Sequence, residues 1–142
     1  MYATAEQFIL RVGKFQTIQL TDRDGMGEID MEVLNVTLSD ASSQIDGYLI
    51  TRYALPLADI PQNLTRICCD IARYRLASMS SVGITDEIIK RYQLSLDELE
   101  KFSKGAISLG MKRVDESDVS DSDGCDAVVF SNSLNRVFHR DN

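Results

Sequence analysis

Apolar positions along most of this chain recur every three to four residues, the spacing that lines up one face of a helix. Phe8, Ile9 and Val12 form the first such stripe, preceded by Thr4 and Gln7 in capping-box register and followed by Gly13 as a stop. The piece FQTIQLT after it fits either one helical turn or an extended stretch. A longer helix is predicted from about 31 to 52, with Leu34, Leu38, Ala41, Ile45, Tyr48 and Leu49 on one face. Gly47 inside it costs about 1 kcal/mol against alanine, which suggests a close helix contact there. YALPLADIPQ carries both prolines and reads as a connection, with Pro61 suited to a first helical turn. From there to about Met79, Leu64, Ile67, Cys68, Ile71 and Arg75 share a face. Thr85 caps a last helix with Ile88, Ile89, Tyr92, Leu96, Leu99 and Phe102 inside and Gly105 at its end.

The pattern changes at residues 115–126, DESDVSDSDGCD, which hold six acids and no base. The whole chain carries a net charge of -7; without this run, 15 bases face 16 acids. A run of this composition cannot bury enough apolar surface to order itself and reads as a flexible acidic linker. The predicted organisation is a helical domain over 1–111, the linker over 112–126 and a docking tail over 127–142. In the tail, DAVVFSNS has strand character and NRVFHRDN is basic and aromatic. The expected fold is therefore mainly α: a small bundle of four to five helices, the linker, and a C-terminal extended or short β segment.

One stretch resembles a metal loop. TDRDGMGEID, residues 21–30, sets Asp22, Asp24 and Gly27 at positions 1, 3 and 6 of a calcium-binding loop. Met26 then stands at position 5 and Val33 at position 12, so two ligands are missing. The alternative accounts for more residues. Asp24-Gly25 is a turn dipeptide, Asp30 caps the helix from Met31, and Ile29 and Leu34 occupy the two positions of a hydrophobic staple.

Other chemistry is sparse, and no catalytic, cofactor or metal site is predicted. His139 is the one histidine and lies near the end of the chain, without a nucleophile in view. Cys68 falls on an apolar stripe, Cys69 at its edge as a candidate exposed thiol, and Cys125 in the acidic run. An odd count with no ligand spacing fits reduced thiols in a cytoplasmic setting. MYATAEQFIL lacks a basic region followed by an apolar block, and no run reaches the ~18 residues of a membrane span. Arg66, Arg73 and Arg75 raise a DNA-binding or regulatory helical protein as the alternative function, but Asp70 interrupts them and the overall charge has the wrong sign.

The order and spacing of several stretches resemble a family of small proteins from Mu-like phages and prophages. These are MYAT at 1–4, IQLTDRDGMGEID at 18–30, SQIDGYLITRYALPL at 43–57, PQNLTRICCDIARYRL at 61–76, KGAISLG at 104–110 and RVFHRD at 136–141. The resemblance implies a head–tail connector, or neck adaptor: a non-enzymatic structural subunit of the virion, assembled in the host cytoplasm. It further implies a ring of such subunits, twelve by analogy, below the portal protein. A downstream neck or tail protein docks on the other side, and DNA passes through without specific binding. In that role Tyr53, Leu55 and Leu57, and Val128, Phe130, Arg136, Phe138 and Arg140 of the tail, are the expected partner contacts.

Overall fold

The computed structural model describes residues 1–80 and 83–110. Five helices follow in chain order: α1 (Ala5–Val12), α2 (Lys14–Thr21), α3 (Met31–Leu49), α4 (Gln62–Met79) and α5 (Asp86–Lys104). The described residues are mainly α, as the periodicity predicts. The linker at 112–126 and the segment at 127–142 lie outside the described residues.

Local signals start the helices where the sequence places them. The Thr4 hydroxyl accepts from the Gln7 N–H while the Gln7 side chain accepts from the Thr4 N–H, a complete capping box. Asp30 accepts from the N–H groups of Glu32 and Val33, both at 3.0 Å, and so caps α3. Thr85 accepts from the Ile88 N–H, Asp86 and Glu87 follow in the first turn of α5, and Lys101 and Lys104 sit in its last. Gly105 ends that helix at φ 73°, a left-handed conformation that glycine adopts without Cβ strain.

Two expectations change and one open reading is resolved. FQTIQLT is helical, within α2, a two-turn helix starting at Lys14. The Thr17 and Thr21 hydroxyls donate back to the carbonyls of Gly13 and Thr17, each at 2.8 Å, so both residues are buried with their polar groups satisfied. The α3 helix ends at Leu49, short of 52, and Arg52 and Tyr53 close a turn by donating to the Leu49 carbonyl. Gly47 faces open space, with nothing within 4 Å of where a Cβ would stand, so it marks no close helix contact.

In the packing, α3, α4 and α5 each contact the other two, and α1 and α2 pack on each other and against α3 and α4. Hence α4 touches all four other helices. It buries Leu64, Ile67, Cys68, Ile71 and Leu76 toward the common core, together with Phe8, Leu34, Leu38, Ile45, Leu99 and Phe102 from its neighbours. On the α4–α5 side, Tyr74 and Tyr92 stack with centroids 4.1 Å apart and rings 6° from parallel.

Candidate docking surface

Between α3 and α4 the chain makes an irregular connection, residues 50–61, that contains the cis Leu55–Pro56 bond. Tyr53 anchors it. Its ring is 2% exposed, and its hydroxyl accepts from the Leu109 N–H at 3.3 Å, tying the connection to the residues that follow α5. Beyond this anchor the connection turns apolar side chains toward the surface: Leu55 and Leu57 are half-buried and Ile60 is 46% exposed.

Two hollows flank these residues. One, of about 550 Å³, is lined by Pro56, Leu57, Ile60, Pro61, Leu109 and Gly110 among others. A second, of about 380 Å³, lies between Leu55 and the N-terminal Met1 and Tyr2, and shares Pro56, Leu57 and Ile60 with the first. They adjoin through these shared residues to make a groove; the first hollow is mainly apolar with Asp59 in its wall, and the second is about evenly apolar and polar with Asp46 in its wall. Tyr2 donates from its hydroxyl to Asp46, and burial followed by that carboxylate pushes the phenol well above its ordinary range, so it stays a neutral donor. The Tyr2 backbone N–H donates to Ser42 at 3.0 Å, which holds the N-terminus against α3. A partly apolar groove with fixed walls and a few donors suits non-covalent docking of another chain.

Of the residues expected to meet a partner, Tyr53 is buried in the core of the chain, while Leu55 and Leu57 line the groove. Val128, Phe130, Arg136, Phe138 and Arg140 lie outside the described residues. The contributions of Met1, Tyr2, Ile60 and Leu109 were not read from the sequence. The signal available for Leu109 was an apolar residue just past the glycine that ends α5.

Elsewhere the structure assigns the polar residues to structural tasks. Asp22 accepts from the Met26 and Gly27 N–H groups at 3.0 and 2.7 Å, and these backbone donors, Gly27 first, hold its carboxyl below the usual range. With Asp30 capping α3, the acids at both ends of the loop serve turn and cap. Among the described residues, no group of three or more His, Cys, Asp or Glu is placed to hold a metal. Cys69, expected at the edge of its helix, is 2% exposed, and burial pushes its thiol up to about 12. Arg66 pairs with Asp70 and Glu98, Arg75 with Gln44 and Asp40, and Arg73 with Gln16, so these guanidiniums engage their own fold.

Comparison with known proteins fits this geometry to a source. Residues 2–126 match the family model described as Bacteriophage Mu, Gp36. The chain is 38% identical over 117 residues to the Mu-like prophage FluMu protein gp36 of Haemophilus influenzae, covering 82% of this chain and 81% of that protein. It is 32% identical over 112 residues to gene product J of Escherichia phage Mu, covering 78% of this chain and 77% of that one.

Proposed function

The chain belongs to the bacteriophage Mu Gp36 family, and from that membership we propose that it is a head–tail connector: a structural subunit that assembles into a ring below the portal protein and links the DNA-filled head to the tail. The observation that supports this reading in the fold is the groove around Leu55, Leu57 and Ile60, which turns apolar side chains toward the surface. A ring of twelve subunits, a portal above, a neck or tail protein below and a place in the virion, assembled in the host cytoplasm, belong to the same proposal. The net charge of -7 suits a channel wall, because like charge keeps DNA phosphates from adhering.

The test is size-exclusion chromatography with light scattering, on the full chain alone and mixed with the portal ring of the same phage. A ring, or a subunit that co-elutes with the portal, is expected. Leu57→Glu and Ile60→Glu should lose that association while retaining the helical spectrum. A chain that stays monomeric and ignores the portal under all conditions would refute the proposal.

A further inference from the structure

In a chain of net charge -7, one cavity of about 210 Å³ is lined by four arginines. Arg11 comes from the last turn of α1, Arg66 and Arg73 from α4, and Arg91 from α5, with Val12, Cys69 and Asp70 completing the wall. Two of the four are neutralised. Arg66 pairs with Asp70 at 3.4 Å and also with Glu98, and Arg91 pairs with Glu87 at 2.9 Å. The other two form no ion pair among the described residues, although Arg73 is near enough to Asp70 to favour its ionised form. Arg73 bonds the Gln16 side-chain oxygen at 3.0 Å, while its Nε is buried with no hydrogen-bond partner. The Arg11 side chain makes no hydrogen bond or ion pair among the described residues. A buried donor left without an acceptor is destabilising. Guanidiniums presented at a cavity rim take carboxylates in strong, often two-pronged, hydrogen bonds.

The chain supplies the complement itself. Residues 115–126 hold six acids and no base, and begin five residues past Gly110. Gly110 lines one hollow with Pro61, the N-cap of α4, and Asp70 stands nine residues further along that helix. Nine helical residues span about 14 Å. Residues 111–115, extended at about 3.5 Å each, reach about 17 Å. The acidic run can therefore reach the cavity of its own subunit, and a tether that short holds it there at an effective concentration of about millimolar.

We propose that the cavity lined by Arg11, Arg66, Arg73 and Arg91 is the docking site for the acidic run 115–126 of the same chain. Docked there, the run supplies the carboxylates that Arg11 and Arg73 lack. It also denies these guanidiniums to nucleic-acid phosphates. The inference does not depend on the connector reading.

The experiment uses the full chain, labelled with a nitroxide on Cys125 and followed by the amide NMR signals. Cys68 and Cys69 are buried and resist the label. Signals of Val12, Cys69 and Arg91 should broaden in the labelled chain more than that of Gly25. The broadening should vanish in Arg11→Glu, whose parent side chain is exposed, and on raising salt from about 0.15 M to about 1 M, where the Debye length falls from about 8 to about 3 Å. Broadening spread evenly, or unchanged by Arg11→Glu and by salt, would overturn the proposal. So would broadening that appears only when labelled and observed chains are different molecules, since that is docking between subunits. As a second readout, replacing Asp118, Asp121, Asp123 and Asp126 by asparagine should tighten duplex DNA binding at least about tenfold. Equal DNA affinity of parent and variant, with cavity signals shifting in both, would make phosphate the occupant instead.

Discussion

Replacing Tyr53 separates a core residue from a contact residue. Its ring is 2% exposed and ranks among the largest fully buried side chains. Tyr53→Ala deletes a buried aromatic ring and leaves a cavity, a loss of about 3–5 kcal/mol. Against a total stability of about 5–15 kcal/mol, that is a large share. Tyr53→Phe keeps the ring and removes only the acceptor for the Leu109 N–H. Leu109 is half-buried, so water can replace the partner, and the cost falls toward the low end of about 0.5–1.5 kcal/mol. Urea unfolding followed by circular dichroism measures both. At a slope of about 2 kcal/mol per molar, the alanine variant's midpoint should drop by about 2 M and the phenylalanine variant's by about 0.3 M. Hydrogen exchange at Leu109 should quicken in Tyr53→Phe, because that N–H loses its protein acceptor. An alanine variant as stable as the parent that fails to associate with the portal would make Tyr53 a contact residue, and the burial argument would be wrong.

Gly47→Ala should raise stability by about 0.5–1 kcal/mol in thermal or urea unfolding, since Gly47 lies inside α3 with open space where the methyl would go. Gly105→Ala should do the reverse by about 1–2 kcal/mol, because φ is +73°; the Arg52 guanidinium beside the new methyl is the end of a flexible side chain and can move aside. Asp30→Ala removes two capping bonds at the start of α3, and a loss of about 1 kcal/mol is expected by the same assay. In a Cys125→Ser chain, native Cys68 and Cys69 should resist a thiol reagent at neutral pH and react once the chain is unfolded. Because burial raises the Cys69 thiol from 9.0 to about 12, the folded state holds that proton longer than the unfolded one. Its contribution to stability is therefore intact below pH 9 and lost as pH rises toward about 12, and the raised Tyr2 phenol acts in the same direction. An unfolding midpoint that does not fall between pH 9 and 11 would refute this.

What the sequence revealed was local in origin. A cap needs one side chain and the N–H groups two or three residues on, so Thr4, Asp30 and Thr85 could be read without knowing the fold. The misses came from packing. Counting a single apolar stripe on α4 left Cys69 at the edge, yet α4 contacts every other helix and is buried on more than one side. That is why Thr65, Cys69 and Ala72 are buried alongside Leu64, Cys68 and Ile71. Conversely α5 contacts only α3 and α4, and there a single stripe was enough to find Ile88, Leu99 and Phe102. The groove was legible only in part because its walls come from the N-terminus, the α3–α4 connection and the residues after α5, which are distant in sequence. No periodicity reports on such a meeting.

The two surfaces stand in a definite relation along α4. The groove opens at its N-cap, Pro61, and the arginine cavity lies along the stretch from Arg66 to Arg73. The chain beyond Gly110 starts at the groove and carries its charges in a fixed order, six acids in 115–126 and then Arg136, Phe138 and Arg140. The acids thus have the shortest tether from Gly110, while the arginine and aromatic residues come last and have the longest. A short tether favours contact within one subunit, because effective concentration falls as the linker lengthens past the span it must cross. A longer one gives that advantage up and gains reach. On this ordering, docking of the acids would fix the start of the segment without consuming the residues suited to a partner. Loss of the acidic contact should then widen the space searched by Phe138 and its neighbours, and slow rather than abolish their capture by another subunit.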